Sequence, residues 1–124
     1  AIRAIEEFDA GAVYLKRPVS LHGTASEIFW RVNIIVRDMI VEIVRSDIKP
    51  FPQSGQVVTF KRRTPEQSDL SELTELSKVF DYIRMLDAEG YPHAFIESAS
   101  LRFEFTSATY QEGEVCASVR ITKR

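Results

Sequence analysis

The sequence has 124 residues, of which 44% are hydrophobic, and a formal net charge of -2. This length allows one small domain with a modest core, and the charge lacks the basic excess typical of nucleic-acid-binding domains. A single cysteine, Cys116, excludes an internal disulfide and favours a reducing compartment. No apolar run is long enough to span a bilayer, and no Cys/His spacing suggests a metal site. We therefore expect a soluble, cytoplasmic protein without a membrane association or a bound metal.

The N-terminal part predicts a β-hairpin followed by a long helix. Residues 1–6 and 12–20 have strand character, and Asp9-Ala10-Gly11 between them forms a turn in which the glycine can take a positive φ. Thr24-Ala-Ser-Glu27 fits a capping box, and apolar residues then recur at helical spacing to about residue 46. The helix should end before Pro50, because the residue before a proline disfavours the helical conformation.

The C-terminal part predicts a linker, one helix and a small sheet. Pro50, Pro52 and Gly55 indicate a linker over residues 49–56, followed by a short strand over 57–60 and a loop over 62–71. A helix is predicted over residues 73–88, and strands over 94–97, 101–107 and 114–122. Cys116 is expected to be a small buried side chain in the last strand. The order is β-β-α, linker, β-α-β-β-β.

Four segments together resemble one enzyme family. They are Phe8-Asp-Ala-Gly-Ala12, His22-Gly-Thr-Ala-Ser-Glu-Ile28, residues 60–70 and residues 82–95. They are similar to segments of the folate-dependent formyltransferases, which include methionyl-tRNA formyltransferase and enzymes that N-formylate amino sugars on nucleotide carriers. The resemblance covers nearly the whole chain and implies the C-terminal portion of such an enzyme.

The resemblance implies an α+β architecture in three parts. Residues 1–48 would be the tail of a Rossmann-like formyltransferase domain, a β-hairpin plus a helix, and residues 49–56 a linker. Residues 57–124 would be a small mixed C-terminal domain with one helix and a short, mainly antiparallel sheet. Ala1 begins without methionine inside a predicted strand, which favours the interpretation of the chain as a fragment.

The resemblance also implies a reaction and a catalytic residue. An amine attacks the formyl carbon of 10-formyltetrahydrofolate, and the site must stabilise an oxyanion and accept a proton. The family uses an Asn, a His and an Asp, and Asp9 with Gly11 matches its Asp-x-Gly turn. The upstream Asn-x-His has no counterpart, because Asn33 is the only asparagine and both histidines follow Asp9. The chain alone is therefore expected to be inactive, with the donor bound mainly by a missing N-terminal part.

Three further residues are candidates for substrate binding. Arg62 and Arg63 could bind a phosphate or pyrophosphate, because guanidinium groups match such oxygens; the alternative is a solvated loop paired with Glu66 or Asp69. Tyr91 could stack on a nucleotide base, or pack its helix onto the sheet.

Two classes of function remain open. The first is a portion of a formyltransferase whose acceptor is a small amine, such as an amino sugar nucleotide, since the acidic balance of residues 50–124 makes tRNA less favoured. The second is a non-catalytic truncated module that acts through self-association or through a partner chain carrying the N-terminal half. An unrelated α+β binding domain would require the motif matches to arise by chance.

Overall fold

The computed structural model describes all 124 residues, which divide into two compact units. Unit 1 contains residues 1–21 and 28–60, and unit 2 contains residues 22–27 and 61–124. The chain passes from one unit to the other after residues 21, 27 and 60. The assignment of residues 1–48, 49–56 and 57–124 to domains of the family stays a prediction.

The regular elements are two α-helices and three strands. They are α1 (Ala25–Arg45), α2 (Leu76–Leu86), β1 (Ala94–Glu97), β2 (Leu101–Gln111) and β3 (Glu114–Lys123), with a short 3-10 helix at Pro65–Ser68. The predicted α+β class is confirmed, and the three predicted C-terminal strands all form, with β2 and β3 longer than expected. A Rossmann-like origin for the N-terminal residues is not shown by this architecture.

The start of α1 confirms the predicted capping box. The Thr24 N–H donates to the Glu27 carboxylate at 2.8 Å, and the Glu27 N–H donates to the Thr24 hydroxyl oxygen at 3.3 Å. These two bonds satisfy backbone donors that the first helical turn leaves without partners. The helix ends at Arg45, and Asp47 then adopts a left-handed φ of 42°, ahead of Pro50.

The predicted N-terminal hairpin does not form as regular strands. Isolated antiparallel bridges join Ile2 to Val13 and Val13 to Phe51, so Val13 lies between two neighbouring segments. The predicted strand at residues 57–60 is also absent, and those residues are exposed. Alternation of apolar residues was insufficient there, because a short segment forms a strand only where a neighbouring edge accepts its hydrogen bonds.

Unit 2 is built on an antiparallel sheet in the order β1-β2-β3. The turn between β2 and β3 is formed by Glu112 and Gly113, which have φ values of 52° and 82°. Left-handed φ at both central residues is the geometry of a tight two-residue hairpin. Its register is shifted between Thr106 and Thr109, where Ser107 donates its N–H to the Asp87 carboxylate at 2.8 Å.

Helix α2 covers this sheet and completes a small core. Leu70, Ile83, Leu86 and Ala94 form a buried cluster, and Phe105 packs against it. Ile83 and Leu86 lie one helical turn apart, so one face of α2 is buried while the rest remains accessible.

Cys116 is exposed, and the prediction that it is buried was wrong. Its neighbours Val115 and Ala117 are the residues of β3 that pack toward the core. Because alternate residues of a strand point to opposite faces, Cys116 lies on the outer face of the edge strand.

Neither helix has both the length and the apolar character needed to cross a membrane.

Candidate functional site

The Asp9-Ala10-Gly11 turn presents an exposed carboxylate. Asp9 adopts a φ of 56°, a left-handed conformation that aspartate tolerates better than most residues. Its side chain is exposed and makes no hydrogen bond within the chain. The carboxylate can therefore accept a hydrogen bond or a proton from a group that approaches from outside.

Gly11 is required for a reason that the sequence did not reveal. Its φ is not among the left-handed values, so the predicted use of a positive φ at this position was wrong. Gly11 is buried instead, and an ideal Cβ built on it would lie 1.8 Å from the backbone oxygen of Arg3. The Arg3 N–H donates to Ala12 O at 2.8 Å, which draws the two segments together. Only glycine permits this approach of two backbones.

Gln53 contacts the turn from the segment that the sequence suggested to be a linker. Its side-chain amide donates to the backbone oxygens of Asp9 at 2.6 Å and of Gly11 at 2.8 Å. Sequence reasoning missed this residue, because Pro50, Pro52 and Gly55 around it indicate a loop. The pairing of Phe51 with Val13 brings Gln53 to the turn, and a single sequence does not reveal this pairing.

An open cavity of about 660 Å³ lies beside the turn. It is lined by residues 7–10 and 53–60. Glu7 and Asp9 give it acidic groups, and the residues Phe8 and Phe60 are 97% and 87% exposed. Asn33, which belongs to the same unit, does not line it. The cavity offers carboxylates and aromatic surface, but no imidazole or asparagine from unit 1.

Arg62 and Arg63 belong to unit 2 and have different surroundings. Arg63 donates to Gln67 O at 2.6 Å, and its guanidinium lies 5.4 Å from the centroid of the Tyr82 ring. Arg62 is exposed and forms no ion pair. Neither arginine pairs with Glu66 or Asp69, which was the alternative reading of this loop. Arg63 is thus anchored by the protein, and Arg62 extends into solvent.

Tyr91 follows α2 in unit 2 and is 49% exposed. Its N–H donates to Ala88 O at 3.2 Å, and Gly90 before it has a φ of 79°. Tyr91 is therefore about half accessible, so it can either pack against its own unit or stack on a ligand.

The histidines also belong to unit 2, where Nδ1 of His93 lies 3.2 Å from the backbone oxygen of Leu86.

The known proteins that this chain resembles are methionyl-tRNA formyltransferases. A family model described as "Methionyl-tRNA formyltransferase, C-terminal domain" matches residues 65–122. A methionyl-tRNA formyltransferase from Streptococcus pyogenes serotype M6 is 30% identical over 117 residues, covering 89% of this chain and 37% of the relative. A solved methionyl-tRNA formyltransferase from Clostridium thermocellum superposes with a TM-score of 0.94 at 44% identity, covering 99% of this chain and 55% of that one.

The chain matches the C-terminal portion of the formyltransferase family. The matches agree with the prediction from the sequence and place the chain in the C-terminal portion of that family. The chain spans 37% of the length of the streptococcal relative and 55% of the solved clostridial chain.

The predicted preference for an amino sugar acceptor over tRNA was wrong. The similar proteins from S. pyogenes and C. thermocellum are all named methionyl-tRNA formyltransferases. The error came from the balance of charge over residues 50–124, which counts charges without their positions on the surface. The alternative of a non-catalytic module stays a prediction.

Proposed function

We propose that this chain is the C-terminal portion of an enzyme that transfers a formyl group from 10-formyltetrahydrofolate to the amino group of methionyl-tRNA. The observation that supports this most is the Asp9-Ala10-Gly11 turn, whose exposed carboxylate borders a cavity. The names of the relatives support the acceptor, and the 44% identity with the clostridial enzyme supports a shared reaction. A cytoplasmic location forms part of the same proposal.

The proposed chemistry assigns Asp9 a role in proton transfer. The acceptor nitrogen attacks the formyl carbon, the bond from that carbon to N10 of the folate breaks, and the formamide forms. The amine loses one proton and N10 gains one, so the reaction is balanced without an oxidant or reductant. A carboxylate that orients an imidazole and stabilises its charged form assists both proton movements. The Asn and His that the family uses would come from the N-terminal part of the full-length enzyme, since this chain has no Asn-x-His.

The proposed acceptor gives roles to the arginines and the tyrosine of unit 2. The exposed guanidinium of Arg62 would contact tRNA phosphates, which arginine binds through paired N–H groups. Arg63, held against Tyr82, would present a fixed positive charge beside it. The accessible half of Tyr91 would stack on an unpaired base, as aromatic side chains do in RNA recognition.

The proposal is tested by formyl transfer in the full-length protein. Labelled 10-formyltetrahydrofolate would be offered with methionyl-tRNA, and separately with an amino sugar nucleotide. We expect transfer to methionyl-tRNA, and a loss of about 100-fold or more in kcat for Asp9→Asn, because general acid–base groups contribute about 10²–10⁴-fold. The matched control is Asp38→Asn, which removes a carboxylate that is paired with Arg37 on the surface of α1. Transfer only to the amino sugar, or full activity of Asp9→Asn, would contradict the proposal.

A further inference from the structure

Gln53 holds the turn that carries Asp9 through two hydrogen bonds from one nitrogen. Both partners are backbone oxygens, of Asp9 at 2.6 Å and of Gly11 at 2.8 Å. Because both partners are acceptors, the amide must face them with its NH₂ group, and each N–H satisfies one carbonyl. A carboxylate or an apolar side chain of the same length would leave both carbonyls without this donor.

The position of Gln53 follows from the antiparallel pairing of its segment with the segment after the turn. Phe51 and Val13 exchange both backbone hydrogen bonds, at 2.8 and 2.9 Å. Residues of antiparallel segments pair in opposite chain directions. Gln53, two residues after Phe51, therefore lies opposite Gly11, two residues before Val13. The side chain of Gln53 donates to the Gly11 oxygen at this point, and it also reaches the oxygen of Asp9, two residues further along the turn. The segment from 51 to 53 is therefore tied to the turn.

The carboxylate of Asp9 depends on this backbone support. No hydrogen bond within the chain restrains its side chain, and its backbone holds a left-handed φ of 56°. The two carbonyls bound by Gln53 flank Ala10, so they fix the peptide units on both sides of the turn. The backbone that Gln53 holds therefore sets the direction in which the Cα–Cβ bond of Asp9 leaves the turn.

We propose that Gln53 is a positioning residue for Asp9 in formyl transfer, acting through the backbone of the Asp9–Gly11 turn. This inference rests on the function proposed above. Its consequence is a selective effect on the chemical step, because a displacement of about 1 Å in a catalytic group can cost about 10²-fold in rate. Acceptor binding, which depends on other residues, should change little.

The test compares Gln53→Met with two control variants in the full-length protein. Methionine keeps the length of the side chain and removes both N–H donors. We expect kcat to fall about 10-fold to 100-fold, while KM for methionyl-tRNA changes less than about 3-fold. Met39→Ala is the control for stability, because Met39 is buried in α1 of the same unit and does not line the cavity. Gln111→Met is the control for residue type, because Gln111 is exposed at the end of β2.

Amide hydrogen exchange tests the contact of Gln53 with the turn independently of formyl-transfer activity. We expect Gln53→Met to speed hydrogen exchange in a peptide covering residues 8–13. At a temperature where both variants are folded, exchange in that peptide should be slower in Met39→Ala than in Gln53→Met. An unchanged kcat in Gln53→Met would overturn the positioning role. A loss of kcat that only equals the fraction of unfolded protein, as expected for Met39→Ala, would overturn it too. If the wild-type protein transfers no formyl group, the proposed function fails; unchanged exchange at residues 8–13 would separately show that Gln53 does not hold the turn.

Discussion

Gly11 tolerates no side chain, because its Cβ would lie 1.8 Å from the backbone oxygen of Arg3. We expect Gly11→Ala to separate the two segments and to lower the free energy of unfolding by about 1–3 kcal/mol, as overpacking does elsewhere. Chemical denaturation would measure the change. Ala10→Ser is the matched control, because Ala10 is exposed in the same turn. A stability equal to wild type would show that the backbones can move apart without cost.

The Asp69 carboxyl lies in the same loop as Arg62 and Arg63, and its pKa depends on hydrogen bonds from Ser71. Hydrogen bonds from the Ser71 hydroxyl at 2.6 Å and the Ser71 N–H at 2.9 Å lower the pKa of the Asp69 carboxyl below its ordinary value of 3.8. Since the folded pKa is the lower one, the stability that Asp69 contributes is present above about pH 4. It is lost as the pH falls through the folded pKa.

Ser71→Ala should therefore raise the pKa of Asp69 toward its ordinary value. The hydroxyl bond is the larger cause of the shift, and the backbone N–H bond would remain. Titration of the Asp69 carboxyl carbon by NMR would measure the change, with the exposed Ser100→Ala as control. The stability effect is small because Asp69 is mostly exposed. An unchanged titration curve would exclude the hydroxyl as the cause.

At the scale of elements, the start of α1 was predictable because its signal is local. Thr24 and Glu27 are three residues apart, and their reciprocal bonds need no partner from elsewhere in the chain. The strands of unit 2 were predictable for a similar reason, since Leu101, Phe103 and Phe105 alternate with charged residues. The N-terminal segments were less predictable, because Val13 pairs with Phe51 as well as with Ile2, and Phe51 is distant in sequence.

Loss of the capping box should destabilise the start of α1. We expect Thr24→Ala to cost about 1 kcal/mol, because it removes the acceptor for the Glu27 N–H. Thermal unfolding and hydrogen exchange in the first turn of α1 would measure this. Ser46→Ala, beyond the other end of the helix, should cost much less. Equal effects of the two substitutions would argue against the cap.

At the scale of the whole molecule, the net charge of -2 hides a local basic segment at Lys61-Arg62-Arg63. Binding to a phosphate backbone depends on where cations are placed, and a near-neutral total is compatible with it. The predicted preference against tRNA relied on the total charge, which does not exclude such a local segment. A count of charges along the chain does not show which of them share a surface.

Arg62→Ala should weaken binding to tRNA in the full-length protein. We expect a lower affinity and a salt dependence of log K that is smaller by about one, the change expected for one lost phosphate contact. Filter binding over a range of salt concentrations would measure both. Arg45→Ala, which removes an exposed arginine at the end of α1, should leave them unchanged. An equal effect of both substitutions would indicate nonspecific attraction.

The sequence by itself determined the α+β class, both helices, the three-stranded sheet and the relationship to formyltransferases. These depend on periodicity, caps and motifs that lie within short stretches of chain. Tertiary structure alone decided that Gly11 serves a close approach to Arg3, and that Gln53 holds the Asp9 turn. Both contacts join residues that are distant in sequence, and the register that pairs them is set by backbone hydrogen bonds, which leave no periodic signal in the side chains.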